Sequence, residues 1–479
     1  MTAAALQDLL PDCAVPALTI TGLTEDSRAV QPGDAFVAVR GAAADGHNHI
    51  AEAVANGALA VLCEEPAADA CVPAIVVPEL KSRRGEIARR LYADPSAELR
   101  CFGVTGTNGK TSIAHFIAQL GNALGNRCGY LGTIGWGVLE NLQPARLTTV
   151  DAISLQQRLR DLLDQGCDWA ALEVSSHALS QGRVDDVGFD VAIFSNLSRD
   201  HLDYHSSIEE YGAAKARLFT FAGLSHAIVN ADDDYAVELS AVMAEDLDVI
   251  TYGRTGAVSW SDLSFDAAGV TGRWCSPWGT APLNLGLAGE FSVANMAAAL
   301  AAACCMGHDF DDAVAATRDV AGVPGRMEFF SAPGSPAVVV DYAHTPDALD
   351  KALAAARRHT AGRLLCVFGC GGDRDPGKRP LMARAAAGQA DELWLTSDNP
   401  RSEDPAKIIR DMRAGLTGSS DAHSCVDRRE AIAAALAAAG PGDLLMVAGR
   451  GHETHQEVAG QLLELSDRAV VAQLLGVAG

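Results

Sequence analysis

Residues 103–112 read GVTGTNGKTS, and they stand directly after an apolar strand-like run and directly before a helix-like run. Glycines let the backbone wrap around phosphate oxygens, and a helix N-terminus points unpaired N–H groups at an anion. The pattern G-x-x-x-x-G-K-[ST] is matched except at its first glycine, where Val104 stands. In such loops the lysine, here Lys110, reaches the terminal phosphates, and the hydroxyl of Thr111 coordinates Mg²⁺. The sequence therefore predicts a nucleoside triphosphate site.

Strand-like and helix-like segments alternate through most of the chain, which predicts an α/β fold with mostly parallel sheets. The strand candidates are Arg100–Val104, Trp169–Val174, Asp190–Asn196, Ala337–Asp341, Leu364–Phe368, Glu392–Thr396 and Asp443–Val447. The helix candidates are Thr111–Leu124, Ile208–Phe219, Asn295–Met306 and Arg428–Ala439. One stretch differs, because Val258–Leu285 has short apolar runs and turn residues and predicts antiparallel strands.

The length of 479 residues suggests about three domains of ~150 residues each. Two breaks carry proline and glycine, which cannot continue a preceding helix. They are Asp94–Ser96 and Gly322–Gly325. We therefore predict domains at residues 1–97, 98–325 and 326–479.

The formal net charge of −24 argues against non-specific binding to nucleic acid or to an anionic membrane surface. Anionic substrates would then be bound by a few well-placed lysine, arginine and backbone N–H groups. The run Met296–Met306 is apolar but too short to span a bilayer. We therefore expect no membrane insertion and no nucleic-acid partner.

The N-terminus and the cysteines predict a cytoplasmic location. Met1–Pro11 lacks the basic start and long apolar run of a signal peptide. The twelve cysteines are scattered without a CxxC pair, as is typical of reduced, buried thiols. A zinc site at Cys366 and Cys370 is disfavoured, because a second ligand pair at metal spacing is missing.

Acidic and histidine groups follow the next two predicted strands. Glu173 stands at the end of one, and His201 follows the other. In open parallel sheets the carboxyl ends of the strands line the ligand crevice, so both are expected near Lys110 and Thr111. A carboxylate and an imidazole there could hold a divalent cation that neutralises phosphate charge. Either residue taken alone is equally compatible with a solvent-facing loop.

Four strings resemble the central domain of the Mur ligase family. They are TGTNGKTS, EVSSHAL from Glu173, NLSRDHLDYH from Asn196, and YGAAKARLF from Tyr211. In that family the lysine matching Lys215 is carbamylated by CO₂, which turns a cation into an anionic oxygen ligand for a second Mg²⁺. Without the resemblance, Lys215 would be interpreted as a solvated helix lysine. Folylpolyglutamate synthases and cyanophycin-type ligases share these strings, so the central segment leaves the substrate open.

Residues 26–46, DSRAVQPGDAFVAVRGAAADG, resemble the UDP-binding domain of some members of the family. The resemblance implies that Ser27 contacts the uridine diphosphate. It also implies a set of residues that holds the muramoyl-dipeptide and its phosphates, namely Thr148, Thr149, Ser175, Gln181 and Arg183. A guanidinium suits this role because it binds phosphate or carboxylate through two hydrogen bonds. The family commonly has histidine and glutamine where Ala42 and Ala43 stand, so that side-chain contact does not transfer.

The C-terminal segment indicates which amino acid is the substrate. GCGGDRDPGKRP from Gly369 and DNPR from Asp398 resemble the members that add meso-diaminopimelate. The resemblance implies that Arg401 binds the distal carboxylate, a group that lysine lacks. The implied pocket comprises Arg374, Asp398, Asn399, Pro400, Arg401, Gly449 and Glu453. A buried guanidinium without its carboxylate is costly, so lysine should be rejected. As an isolated tetrapeptide, DNPR would indicate only an Asx-Pro turn with an exposed arginine.

The resemblance also implies the ATP site and the catalytic groups. The implied ATP contacts are Gly106, Thr107, Asn108, Gly109, Lys110, Thr111, Ser112, Asn295, Arg326, Asp341 and His344. Ser292 departs from the usual asparagine, which weakens the case for a role of that position and leaves Asn295 unaffected. The implied catalytic residues are Lys110, Glu173, His201 and Lys215, and the implied metal ligands are Thr111, Glu173, His201 and carbamylated Lys215.

We expect a monomer, and the resemblance as a whole implies three α/β domains. These are an N-terminal UDP-binding domain, a central P-loop-type domain with a mostly parallel sheet, and a C-terminal Rossmann-like domain. The implied reaction is Mg²⁺-assisted and ATP-dependent, and it joins meso-diaminopimelate to a UDP-MurNAc-dipeptide through an acyl phosphate, in peptidoglycan synthesis. A phosphotransferase or NTP-driven binding module that forms no amide is the alternative from another class, because kinases and motors share the loop.

Overall fold

We describe the protein from a computed structural model. The structure describes residues 3–41, 44–67, 70–198, 200–201, 204–266, 268–416 and 422–477. The chain forms two compact units, one comprising Met1–Gly256 with Ala301–His308 and the other Ala257–Leu300 with Asp309–Gly479. The domain boundaries near residues 97 and 325 remain predictions.

The first unit contains two sheets. The N-terminal sheet is parallel, with strands in the order Gly22–Thr24, Asp34–Ala38, Ala60–Cys63 and Ala74–Val76. Its short strands are apolar and largely buried, as expected of a parallel sheet covered on both faces. A further short antiparallel pair joins Ala4–Ala5 to Thr19–Ile20.

The central sheet carries the phosphate-binding loop. Its strand order is Asp248–Tyr252, His226–Asn230, Val191–Phe194, Arg100–Thr105, Trp169–Glu173, Cys128–Gly132 and Gly135–Val138. All neighbours are parallel except the last pair, which is antiparallel. The register pairs Glu173 with Val104 and Phe194 with Thr105, so the segments that follow these three strands share one edge.

The second unit contains the C-terminal sheet. Its strand order is Glu328–Phe330, Ala337–Asp341, Leu444–Ala448, Leu364–Cys370, Glu392–Ser397 and Ala422–Ser424. All neighbours are parallel except the first pair. A hairpin, His455–Val458 with Gln461–Glu464, follows the strand that ends at Ala448.

The prediction of antiparallel strands within Val258–Leu285 is confirmed. The three strands are Ser259–Asp266, Gly269–Ser276 and Gly279–Leu285, and each pairs antiparallel with the next. The predicted parallel strands are also confirmed, with ends that differ by one or two residues. The α/β fold with mostly parallel sheets is therefore the fold of this chain.

The α-helices lie between the strands. They are Leu6–Leu9, Ile50–Ala55, Leu80–Leu91, Lys110–Ala123, Ala152–Asp164, Ser176–Ser180, Ile208–Ala216, Tyr235–Ser240, Glu290–Cys305, Phe310–Thr317, Pro346–Arg357, Lys378–Gln389, Pro405–Arg413, Arg428–Ala438 and Asp467–Leu475.

Two predicted helices have ends that differ by more than one residue in the structure. The helix predicted at Asn295 begins at Glu290, because Val293 and Met296 are both fully buried on one face and extend the packed surface toward the N-terminus. The helix predicted to end at Phe219 ends at Ala216 and continues as a 3₁₀ turn over Arg217–Thr220.

In the part of the chain that the structure describes, no helix is long and apolar enough to cross a membrane. Cys366 and Cys370 are both buried on one strand, and burial raises the pKa of both thiols to about 12. The Cys370 Sγ lies 3.6 Å from the Met382 Sδ, so these cysteines pack as core side chains.

Candidate active site

The phosphate-binding loop, residues 103–112, joins the strand Arg100–Thr105 to the helix Lys110–Ala123. Gly106 and Gly109 have φ values of +145° and +85°, which only glycine adopts without strain. A Cβ on Gly106 would also collide with the Ser195 hydroxyl. Gly109 caps the helix without a side-chain hydrogen bond, so the first N–H groups of the helix are left for an anion.

Two lysines converge on this loop. The Lys110 Nζ donates to the carbonyl oxygens of Gly106 at 2.8 Å and Thr107 at 3.0 Å. The Lys215 Nζ donates to the same Gly106 oxygen at 2.9 Å and lies 4.0 Å from the centroid of the Tyr211 ring. Lys215 is only 1% exposed. The interpretation of Lys215 as a solvated helix lysine, which the sequence would suggest without the family resemblance, is therefore wrong. Helix Ile208–Ala216 turns this side chain inward.

Burial lowers the pKa of Lys215 well below its ordinary value, and the positive charge of Lys110 lowers that pKa further. The amine is therefore biased toward its neutral form. A neutral amine is the nucleophile that CO₂ requires, whereas an ammonium group is inert. The environment of Lys215 thus matches the chemistry of carbamate formation.

Glu173 is the centre of a buried hydrogen-bond cluster at the end of its strand. Its Oε2 accepts from the hydroxyls of Thr111 at 2.8 Å and Thr133 at 3.2 Å. Its Oε1 accepts from the Tyr130 hydroxyl at 2.5 Å and from the Thr133 N–H at 2.8 Å. The structure thus brings Thr111 and Glu173 together. Sequence reasoning missed Tyr130 and Thr133, although Thr133 directly follows a strand of the same sheet.

Hydroxyl and carboxylate oxygens are ligands that suit Mg²⁺, so Thr111 and Glu173 fit a magnesium site. Lys215 fits only as a carbamate, because a free amine is a poor ligand for this cation. Among the described residues, no group of three or more histidine, cysteine, aspartate or glutamate side chains is arranged to hold a metal ion. The metal ligand set remains a prediction.

His201 lies in a cluster of aromatic rings beside Lys215. Its ring centroid is 6.0 Å from that of Tyr211 and 4.9 Å from that of His177. Its φ of +53° turns the backbone sharply at this point. Arg199, Leu202 and Asp203 of the same string lie outside the described residues.

The residues implied for the muramoyl-dipeptide lie together next to Glu173. The Thr149 hydroxyl donates to the Glu173 carbonyl at 2.7 Å and accepts from the Ser175 N–H at 3.1 Å. The Arg183 Nη1 donates to the Thr149 carbonyl at 2.8 Å, and its Nε donates to the Gln181 Oε1 at 2.9 Å. Thr148 joins the Glu173 cluster through a 3.0 Å contact between its Oγ1 and that of Thr133.

Ser27 lines a cleft of about 1210 Å³ in the first unit. Its hydroxyl donates to the Glu52 Oε2 at 2.6 Å, so a ligand would have to compete for that hydroxyl or use its lone pairs. Sequence reasoning missed the other charged groups of the cleft. They include Glu25, Arg28, Arg84, Arg146, Asp151 and Arg158. Ala42 and Ala43 lie outside the described residues.

Glu25 is the most perturbed carboxyl group of this cleft. Burial raises its pKa to about 7, although Arg84 opposes the rise through a contact of 3.2 Å between the Nη1 and the Glu25 Oε2. Its Oε1 is buried and has no hydrogen-bond partner within the described chain. The arginines supply positive charge for an anionic ligand, whereas the Glu25 carboxyl group, with its pKa raised to about 7, changes its charge around neutral pH.

The second unit contains the remaining residues implied for ATP. Asp341 accepts from the N–H groups of Met327 at 2.7 Å and Ala343 at 2.8 Å, and burial raises the pKa of its carboxyl group. The Arg326 guanidinium carbon lies 4.7 Å from the centroid of the Tyr342 ring. His344 contacts the Tyr342 carbonyl through its Nδ1 at 2.9 Å. Asn295 lies on the helix Glu290–Cys305.

The DNPR turn, Asp398–Arg401, and the segment Gly449–Glu453 each follow a strand of the C-terminal sheet, and the strand Leu364–Cys370 lies between those two strands. The Asn399 Nδ2 donates to the Glu453 Oε2 at 2.9 Å, and its Oδ1 accepts from the Arg450 Nη1 at 3.1 Å. Burial raises the pKa of Glu453. The Arg401 Nη1 donates to the Gly372 carbonyl at 2.7 Å.

Arg374 lies near Arg401. A Cβ placed on Gly371 would lie 3.1 Å from the Arg401 Nη1 and 3.7 Å from the Arg374 Cγ. Both arginine side chains therefore pass close to this glycine. Pro400 completes the turn, and its carbonyl oxygen packs against Gly372.

A buried ion pair lies beneath both segments. Arg428 and Asp467 are fully buried, and their closest contact, from the Nη2 to the Oδ2, measures 2.8 Å. Arg428 also donates to the carbonyls of Ser397 at 3.3 Å and Ala448 at 2.8 Å, the last residues of the two strands. Sequence reasoning missed this pair, because an isolated arginine at the start of a helix carries no signal of burial.

Three family models match the chain. Residues 19–92 match "Mur ligase family, catalytic domain", residues 104–303 match "Mur ligase middle domain", and residues 325–451 match "Mur ligase, glutamate ligase domain". A Pseudomonas putida protein named UDP-N-acetylmuramoyl-L-alanyl-D-glutamate–2,6-diaminopimelate ligase is 46% identical over 463 residues, which cover 94% of this chain and 93% of that protein. The chain belongs to the Mur ligase family.

Other relatives of this Mur ligase also match most of its length. A Coxiella burnetii protein of the same name is 44% identical over 459 residues, 94% of each chain. A solved structure of a UDP-N-acetylmuramoyl-L-alanyl-D-glutamate–2,6-diaminopimelate ligase has a TM-score of 0.76 at 40% identity and covers 99% of both chains. A Mycobacterium tuberculosis folylpolyglutamate synthase, at 20% identity, shares the fold over 77% of this Mur ligase with a TM-score of 0.61.

Proposed function

We propose that this Mur ligase joins meso-2,6-diaminopimelate to UDP-N-acetylmuramoyl-L-alanyl-D-glutamate, with ATP as co-substrate. The observation that carries the proposal is the nearly full-length likeness, at 46% identity over 463 residues, to a ligase named for that reaction. The geometry of the phosphate-binding loop, the Glu173 cluster and the DNPR turn supports the individual steps.

The first step transfers a phosphoryl group. A carboxylate oxygen of the D-glutamyl residue attacks the γ-phosphorus of ATP, ADP leaves, and an acyl phosphate forms. Gly106, Gly109 and the helix N-terminus supply N–H groups for the phosphates, and Lys110 supplies positive charge. Thr111, Glu173, His201 and carbamylated Lys215 would hold Mg²⁺, which neutralises phosphate charge when bound.

The carbamate on Lys215 is part of the proposal. A buried amine of lowered pKa lies 2.9 Å from the Gly106 carbonyl and near Lys110. Its nitrogen attacks CO₂, a C–N bond forms, and one proton is lost to solvent. The product is an anion, and the adjacent Lys110 ammonium favours it electrostatically.

The second step forms the amide. The amine of meso-diaminopimelate attacks the acyl carbon, phosphate leaves, and the nitrogen loses a proton. Arg401 and Arg374 offer guanidinium groups to the distal carboxylate, and Glu453 offers a carboxyl group beside Asn399. L-Lysine lacks that carboxylate and would leave Arg401 without its partner, so we expect lysine to be a poor substrate.

The nucleotide substrate is assigned to the cleft that Ser27 lines. Arg28, Arg84, Arg146 and Arg158 provide the positive charge that a protein of net charge −24 needs for binding an anionic diphosphate. Thr148, Thr149, Ser175, Gln181 and Arg183 are assigned to the muramoyl-dipeptide. We further propose that the enzyme acts as a cytoplasmic monomer on these small molecules, without a nucleic-acid partner.

The experiment measures phosphate release from ATP with UDP-MurNAc-L-Ala-D-Glu present, comparing meso-diaminopimelate with L-lysine, and determines the product mass. We expect release and a ligated tripeptide with meso-diaminopimelate only. Equal use of lysine would support the ligation reaction but contradict the proposed recognition of the distal carboxylate by Arg401. Phosphate release that is indifferent to every amino acid would favour an NTP-driven module and contradict the proposed function.

A further inference from the structure

The guanidinium of Arg401 is fixed at two points before any substrate contacts it. Its Nε donates to the Glu457 Oε2 at 3.1 Å, and its Nη1 donates to the Gly372 carbonyl at 2.7 Å. Within the described chain, its Nη2 has no acceptor. One nitrogen of the guanidinium is therefore left to hydrogen-bond an incoming group.

Backbone hydrogen bonds place Glu457 beside Arg401. The Arg401 N–H donates to the Glu457 carbonyl at 3.0 Å, and the Ala459 N–H donates to the Arg401 carbonyl at 2.7 Å. The Glu457 N–H donates to the Asn399 Oδ1 at 2.8 Å. The strand His455–Val458 is thus joined to the DNPR turn, and the orientation of the Glu457 carboxylate follows from that pairing.

We propose that Glu457 is a positioning residue that orients the Arg401 guanidinium toward the distal carboxylate of the amino-acid substrate. The inference rests on the proposed function of the DNPR turn and adds the residue that prepares its arginine. An arginine side chain loses considerable rotamer freedom on binding. Holding it in place beforehand moves that cost from binding to folding, so the substrate binds more tightly.

A purely structural role explains this pair poorly. The side chains of Arg401 and Glu457 are 25% and 41% exposed. Ion pairs exposed to this degree contribute little to stability. The backbone hydrogen bonds already join the strand to the turn without the carboxylate. What the carboxylate adds is the direction of the guanidinium.

The test compares E457A and E457Q with the wild-type enzyme in the complete ligation reaction. A glutamine retains an oxygen that accepts from the Arg401 Nε, whereas an alanine does not. We expect E457A to raise the KM for meso-diaminopimelate about tenfold and E457Q to raise it less, with the KM for ATP and for the nucleotide substrate unchanged. The thermal midpoint should stay at the wild-type value in both variants.

Glu464 provides the matched control, because it is an exposed carboxylate on the partner strand of the same hairpin. E464Q should leave every kinetic constant unchanged. An unchanged or lowered KM for meso-diaminopimelate in E457A would overturn the inference, as would a parallel change in all three KM values. If the wild-type enzyme did not ligate meso-diaminopimelate, that result would contradict the proposed function, and the inference, which rests on it, would be contradicted as well.

Discussion

Lys110 and Lys215 donate to one and the same acceptor, the carbonyl oxygen of Gly106, at 2.8 and 2.9 Å. Two ammonium groups that share an acceptor repel each other, and only Lys215 is almost fully buried. The repulsion and the burial both favour a neutral Lys215. A neutral Lys215 is a nucleophile that can react with CO₂.

The first prediction concerns this lysine. Incubation with ¹³C-bicarbonate should give a carbamate signal in the ¹³C NMR spectrum of the wild-type protein, and K215Q should lack it. K215Q should also reduce kcat by about 10²–10³-fold, because an electrostatic group aimed at the transferring phosphate is lost.

K351Q is the control, because Lys351 is an exposed lysine that pairs with Asp347 on the helix Pro346–Arg357. Its spectrum and its activity should match those of the wild type. A K215Q variant that retained both the carbamate signal and the activity would contradict the assignment.

The second prediction concerns Arg401. R401K should lower kcat/KM for meso-diaminopimelate by at least about tenfold and narrow the preference over L-lysine, because an ammonium group cannot reproduce the planar fork of the guanidinium. R410K is the control, since Arg410 is an exposed arginine on the following helix. An undiminished preference in R401K would place the recognition of the distal carboxylate elsewhere.

The third prediction concerns pH. Because the pKa of Glu25 is raised to about 7, its carboxyl group is protonated at lower pH and acquires a negative charge as the pH rises through that value. The groups facing it are Arg84, Asp151 and Arg183. The added charge repels an anionic nucleotide, so the KM for UDP-MurNAc-L-Ala-D-Glu should rise severalfold between about pH 6 and about pH 8.

E25Q should flatten this dependence, because its amide does not titrate. H49Q, which changes an imidazole lining the same cleft, should retain it. If E25Q and the wild type gave parallel pH profiles, the cause would lie in another group.

The fourth prediction concerns stability. D467A should lower the free energy of unfolding by about 3–5 kcal/mol, because it leaves the Arg428 guanidinium buried without its counter-ion. Urea unfolding of the holoprotein measures the loss. The double variant R428M/D467L should regain much of it, since neither buried charge remains. A small loss in D467A would mean that the two remaining acceptors, the carbonyls of Ser397 and Ala448, or entering water compensate the charge.

The sequence predicted the features that depend on short segments. The phosphate-binding loop needs only glycines, a lysine and a helix start in succession, and the strand before it is continuously apolar. The closeness of Glu173 to Thr111 followed from the rule that parallel strands end at a common edge.

The features that depend on distant segments were not predicted. Tyr130 and Thr133 were missed because the strand Cys128–Gly132 contains two glycines and lacks β-branched residues, so its strand signal is weak. The burial of Lys215 and of Arg428 depends on which face of each helix meets a sheet. The charged cleft around Ser27 combines segments more than a hundred residues apart, such as Glu25 and Arg146.

The DNPR turn has a consequence for how this enzyme could evolve. The backbone of Arg401 is held by main-chain hydrogen bonds to Glu457 and Ala459, and these do not depend on its side chain. Its φ of +51° disfavours β-branched replacements but admits asparagine and glycine readily. A point mutation can therefore present a new chemical group from an unchanged scaffold. On the proposed function, a change at residue 401 alone would alter which amino acid the turn accepts while leaving the phosphate-binding loop untouched.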